Sequence, residues 1–162
     1  DIAVRHNGVC TVGKVTTEPG IVTSVVGQAS MFLDQRHLDA GELAKMYTEA
    51  VDAGKRIAAE ENITVEWKKL WQIQPFPFNP ELINMADAAI KDVCGVSHRL
   101  ASGPLHHAAE VCRTGIPTVM LFVQSLRGIS HNRIEDTKEE HLEMSVRALD
   151  RLATEAMKWI ER

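Results

Sequence analysis

Residues 116–124 read Ile-Pro-Thr-Val-Met-Leu-Phe-Val-Gln, a nearly continuous apolar run of strand length. Such a run suits a strand buried on both faces, as in a parallel sheet covered by helices. The flanking sequence supplies the helices. Upstream, Asn79 is placed as an N-cap, with Pro80 at the first helical position and Gly95 just past the end. A short strand is expected around residues 97–101. Ser102-Gly103-Pro104 then turns the chain into a short helix ending at Gly115. Downstream, Thr137 and Glu140 have the spacing of a capping box for a last helix. Leu142, Val146, Leu149, Ala153, Ala156 and Ile160 are expected along one face of it. Helix, strand, helix, strand and helix make part of an α/β layer sandwich.

The first half has a different rhythm. Residues 9–16 and 29–36 read as strands, with a turn at Glu18-Pro19-Gly20. In the second strand Phe32, Asp34 and Arg36 share one face, and Met31, Leu33 and Gln35 share the other. Asp39, with Glu42 in the capping-box position, starts a helix. Leu43, Met46, Ala50, Ile57 and Ala58 follow near helical spacing, and the helix is expected to end around Asn62. Residues 63–73 are β-branched and aromatic and read as a third strand. There Trp67 and Trp71 share a side, which suits core or interface packing. These elements make an α+β unit. Gln74-Pro75-Phe76-Pro77-Phe78 cannot continue a central strand, so the expected domains are 1–73 and 74–162. The chain opens at Asp1 in what reads as the end of a helix. That start fits a piece of a longer protein or a processed chain.

Composition narrows the classes. Hydrophobic residues are 44% and charged residues 25% of the 162, so a core is expected and global disorder is not. A net charge of -4 gives no electrostatic reason to expect nucleic acid or an anionic membrane as partner. No apolar run is long enough to cross a bilayer, and no signal-peptide pattern opens the chain. Cys10, Cys94 and Cys112 are far apart and form no CxxC pair. They read as reduced cysteines of a cytoplasmic protein.

Three places could carry chemistry. His131 lies in the polar loop after the apolar run, with Gly128 for backbone freedom. In open α/β sheets ligands bind beyond the carboxyl ends of strands. A neutral imidazole there could ligate Zn²⁺ or a similar ion, or could be a solvated loop histidine. The turn at Gly103 and Pro104 opens a helix whose backbone N–H groups favour anions. His106 and Glu110, four apart, would share a helix face as a metal pair or as an ordinary polar pair. Arg36 ends a strand. It could grip a carboxylate through two parallel hydrogen bonds, or form a local ion pair with Asp34 or Asp39.

At these same places the chain resembles the bimetal amidohydrolases. That group includes N-carbamoyl-L-amino acid hydrolase, β-ureidopropionase and allantoate amidohydrolase, relatives of the aminoacylase and carboxypeptidase peptidases. Ser102-Gly103-Pro104-Leu105-His106-His107-Ala108 is similar to their Ser-Gly-x-x-His-Asp-Ala segment. Gly128-Ile129-Ser130-His131-Asn132, followed by Glu135-Asp136-Thr137, is similar to their C-terminal metal motif. Leu33-Asp34-Gln35-Arg36-His37 is similar to the strand bearing their substrate-binding arginine. Pro117 to Leu149 reads closest to the carbamoylase branch. There are two departures. His107 stands where the family usually has Asp, and Thr23 stands where some members have a substrate-binding Asn.

The resemblance implies the following. Residues 1–73 are the later part of a lid, or dimerisation, domain, and residues 74–162 are the C-terminal part of an α/β metallohydrolase domain. His131 is a metal ligand. Arg36, Gly103, Pro104 and His106 bind substrate. The cofactor is a pair of divalent ions (Zn, Mn, Co or Ni), and the other ligands, the general-base Glu and the oxyanion-stabilising lid His lie upstream. The activity is metal-dependent hydrolysis of a linear amide or ureido C–N bond. An N-carbamoyl-L-amino acid would give an L-amino acid, ammonia and carbon dioxide. Allantoate-type, ureidoglycolate-type and aminoacylase-type substrates are the alternatives. The partners implied are the small ureido acid and a second copy bound through the lid. These 162 residues alone are expected to be inactive, and a non-catalytic oligomerisation module is the rival from another class.

Overall fold

A computed structural model describes residues 1–161. The chain forms two compact units, Asp1–Phe76 and Pro77–Arg162, and the boundary falls inside the proline-rich stretch of the sequence. It mixes helices with a small sheet, α1 (Ile2–His6), β1 (Val9–Glu18), β2 (Gln28–Arg36), α2 (Ala40–Glu60), α3 (Pro80–Cys94), α4 (His107–Arg113) and α5 (Glu139–Ile160). None of the described helices is long and apolar enough to cross a membrane. All three cysteines are free.

In the first unit β1 and β2 pair antiparallel, from Val9 opposite Arg36 to Glu18 opposite Gln28. The register shifts between Val12 and Lys14, so Gly13 is the extra residue of a bulge. Asp39 caps α2 through a 2.8 Å bond from the Glu42 backbone N–H. The Glu42 carboxylate does not return to Asp39, as a capping box requires. It turns to His6 and Lys45 instead. Met46, Ala50 and Ala58 form the buried stripe of α2, and Ile57 is half exposed. Met46 is fully buried and seats against Gly8, where a Cβ would come within 2.6 Å of the Met46 sulfur. Gln35 reaches from β2 to the Met46 carbonyl, which puts its face of the strand toward α2.

In the second unit Asn79 caps α3 through a 3.0 Å bond from the Leu82 N–H, Pro80 is its first residue, and Gly95 ends it at φ 79°. Helix α5 packs on α3. Ala86, Ala89 and Leu152 form the core, with Met85, Val119 and Leu121 against it. Small side chains on α3 let the helix axes come close. The Trp159 indole N–H donates to Glu81 at 2.5 Å, and Arg151 pairs with Asp92. Arg99 anchors the segment after α3 back onto it through Asp87 and Asn84.

Three expectations are corrected. Residues 63–73, 97–101 and 116–124 join no ladder, because the one sheet among the described residues is β1–β2. They have strand composition without a strand partner among the described residues. The N-cap of α5 is Lys138 rather than Thr137, and it makes no side-chain cap; its ammonium bonds Glu140 at 3.0 Å. The face of α5 that packs carries Ala148 and Leu152, while Leu142, Val146, Leu149 and Ile160 are 49–75% exposed. That helix therefore has a second apolar stripe, uncovered here.

The lack of cover can be measured. The chain exposes 12503 Å² of surface. Two separate folded bodies, each of half its mass, would together expose about 9700 Å². Trp67 shows what cover looks like where it exists. Its ring meets Tyr47 edge-on at 6.3 Å and lies over Gly54 on α2. Alanine for glycine inside an open helix gains about 0.5–1 kcal/mol. Here the new Cβ would sit 2.9 Å from Trp67 Cζ2, so the ring must move. Gly54→Ala is expected to destabilise the first unit by about 1–3 kcal/mol. In a Trp67→Ala background the same change should stabilise. Urea unfolding of the four variants measures both signs, and a stabilising Gly54→Ala with Trp67 in place would contradict the packing.

Candidate functional site

The loop between residues 125 and 138 is closed by the Leu126 N–H donating to the Asp136 carbonyl at 2.7 Å. Inside it runs a single 3₁₀ turn, Leu126–Gly128. Three residues are left-handed, Arg127 at φ 60°, Gly128 at 67° and His131 at 57°. Glycine takes that conformation freely, whereas for other residues it costs about 1–2 kcal/mol. Asn and His tolerate it better than most. The Glu135 carboxylate holds His131 there by accepting its backbone N–H at 2.7 Å.

The His131 ring is steered as well. Ser130 Oγ lies 2.8 Å from its Nδ1. When Nδ1 carries the proton it donates to that hydroxyl, and Nε2 presents its lone pair. This is the arrangement a metal-binding imidazole requires. A catalytic or structural zinc takes three or four protein ligands. His131 fits as one. Among the described residues no group of three His, Cys, Asp or Glu could hold a metal ion. The described residues of this chain therefore do not complete a metal site.

In the 102–108 turn the Ser102 hydroxyl donates to the Pro104 carbonyl at 2.8 Å. Gly103 is not left-handed, and a Cβ built on it would meet no atom within 4 Å. Neither φ nor a near neighbour requires glycine there. His106 is the N-cap of α4, with extended backbone and no side-chain cap. Its ring stands edge-on to Phe122, centroids 6.3 Å apart, so the turn meets the 116–124 run. The expected His106–Glu110 face is not formed. His106 precedes the helix, and Glu110 pairs with Arg113 at 3.1 Å. His107, the first residue of α4, is exposed.

Arg36 stands in the first unit, at the end of β2. Its Nε and Nη2 donate to Asp34 Oδ2 at 2.9 and 2.5 Å. Of the local partners open in the sequence, Asp34 takes the guanidinium, and Asp39 caps α2 instead. The Asp34 bond also holds the Arg36 pKa above its ordinary value. Thr23 lies in the turn between β1 and β2. The sequence alone assigns no role to Ser130 or Glu135. A hydroxyl next to His and a carboxylate four residues on give no signal until the loop folds.

A family model described as peptidase family M20/M25/M40 matches residues 3–155. The chain belongs to this family. Within it, the chain is 30% identical over 144 residues to an allantoate amidohydrolase of Escherichia coli (strain K12), covering 87% of this chain and 34% of that protein. It is 27% identical over 131 residues to an N-carbamoyl-L-amino acid amidohydrolase of Geobacillus stearothermophilus, covering 80% and 32%. Among solved structures, an amidase of the hydantoinase/carbamoylase family from Burkholderia vietnamiensis matches with a TM-score of 0.83 and 32% identity, covering 94% of this chain and 38% of that one. The fold is therefore the mixed α/β fold of these M20 amidases. The chain spans about a third of the length of the curated relatives it matches.

The left-handed His131 sets up a measurement. Valine, β-branched, is expected to lose about 1–2 kcal/mol at that position. Glycine removes the strain but has more freedom to lose on folding, so His131→Gly should lie within about 1 kcal/mol of the parent. Chemical denaturation checks the order. If His131→Gly is the more damaging change, the ring is a structural element.

Proposed function

We propose that this chain is part of a metal-dependent amidohydrolase, with residues 1–73 in its lid domain and 74–162 in its catalytic domain. The whole protein would cleave a linear ureido or amide C–N bond of a small carboxylate-bearing substrate. An N-carbamoyl-L-amino acid would yield an L-amino acid, ammonia and carbon dioxide. The observation that carries this reading is the match to a carbamoylase-family amidase across 94% of the chain at TM-score 0.83. A second substrate, allantoate, is favoured by the 30% identity to an enzyme of that name.

In this reading His131 offers Nε2 to one of two divalent ions, with Ser130 and Glu135 holding ring and backbone. When bound, such ions supply an activated water and a positive charge for the developing oxyanion. Gly103 and Pro104 form the turn whose backbone approaches the substrate. His106 lines the same turn, braced by Phe122. Arg36 binds the substrate carboxylate through a guanidinium fork, and Asp34 orients it. Dimerisation through the lid half is supported by its uncovered apolar side chains, among them Trp71 at 66% and Met31 at 67% exposed.

The test is ammonia release by the full-length protein from N-carbamoyl-L-amino acids and from allantoate, before and after metal removal by chelation. The reading requires activity on at least one that is lost with the metal. Arg36→Lys keeps the charge but not the fork. A charged hydrogen bond is worth about 1.5–3 kcal/mol, so KM should rise roughly ten- to a hundredfold with less change in kcat. Unchanged kinetics would make Arg36 only the ion-pair partner of Asp34.

A further inference from the structure

We infer that His6 is a pH-sensitive clasp. It docks α1 on α2 while its ring carries both protons and releases α1 as the pH rises. No residue of α1 is fully buried. Its side-chain hydrogen bonds to α2 come from Arg5 and His6. His6 Nδ1 lies 2.7 Å from Glu42 Oε2, and Nε2 lies 2.8 Å from Glu49 Oε1. Arg5 adds a 2.6 Å bond to the other Glu49 oxygen. The His6 side chain is only 12% exposed, whereas Arg5 is 57% exposed. An exposed ion pair of the Arg5 kind contributes little. The largely covered ring between two carboxylates is the stronger contact.

The chemistry of that contact sets its pH dependence. Ionised carboxylates only accept hydrogen bonds. A neutral imidazole has one N–H, so one of its nitrogens would present a lone pair to a carboxylate oxygen. The imidazolium satisfies both. Arg5 and the N-cap Asp1 belong to the same helix, Cys10 lies on β1, which packs on α1, and Glu42, Lys45 and Glu49 lie on α2, while His37 reaches the His6 carbonyl from the turn after β2. His37 Nε2 donates to the His6 carbonyl at 2.9 Å and touches neither carboxylate. Lys45 shares Glu42 and Arg5 shares Glu49, so both carboxylates stay ionised.

The pKa directions agree. Hydrogen bonds to Glu42 and Glu49 raise His6 above its ordinary 6.5. Those to Lys45 and His6 lower Glu42 to about 2, and those to Arg5 and His6 lower Glu49. A raised histidine contributes fully below its unfolded pKa and loses the contribution as pH rises through the folded one. The two lowered carboxylates contribute above their unfolded pKa and lose it only as pH falls through their folded values. The clasp is therefore closed at mildly acid pH and opens first on the alkaline side.

The measurement uses the full-length protein. Histidine-selective NMR should give His6 a pKa above 6.5. Hydrogen exchange of a peptide covering residues 1–9, scaled for intrinsic rates, should be roughly fivefold or more faster at about pH 8.5 than at about pH 5.5. His6→Gln should exchange fast at both, which separates His6 from Cys10 and His37. Should that variant not fold, the parent titration still decides. A His6 pKa at or below 6.5, or α1 protection unchanged after the ring has lost its proton, overturns the clasp.

Discussion

Backbone N–H and C=O groups of a strand need hydrogen-bond partners in a neighbouring strand, whose axis lies about 4.8 Å away, and this pairing governs how much of the chain becomes regular structure. Five segments have strand composition, and two of them pair. The helices form regardless, because their hydrogen bonds close within four residues. Each unit is consequently organised by a helix. In the first, α2 sets Met46 under Gly8 and Gly54 under the Trp67 ring. In the second, α3 and α5 meet through Ala86, Ala89 and Leu152.

The same limit explains the exposed apolar surface. Phe122 and Val123 sit in a run built for burial on both faces, yet they are 48% and 40% exposed. Helix α5 covers α3 with one stripe and leaves Val146 and Leu149 in solvent.

Where apolar cover is thin, polar contacts hold the peripheral pieces. Arg99 anchors one segment to α3, and His6 anchors α1 to α2. The His131 loop uses the same means, a Leu126–Asp136 backbone bond and the Glu135 carboxylate on a left-handed histidine. That histidine is bent at a cost in conformational energy and aimed by Ser130.

Much of the local structure was legible in the residues. Asp39 and Asn79 act as caps because a side-chain oxygen reaches an N–H three residues on, which spacing alone reveals. Gly95 ends α3 because only glycine is comfortable at its φ. The motifs around Gly103 and His131 pointed to the family for the same reason, being short and contiguous. The rest depended on groups far apart in the chain. Composition marked residues 63–73 and 116–124 as strands, but a strand also needs a neighbour, and no neighbour can be read from composition. Amphipathic spacing put Leu142 and Val146 inward on α5, but the packing of Ala148 and Leu152 on α3 decided which stripe is covered. Glu42 had the spacing of a capping box, but a histidine 36 positions upstream took its carboxylate, because a charged imidazole binds an acid more strongly than a backbone N–H does.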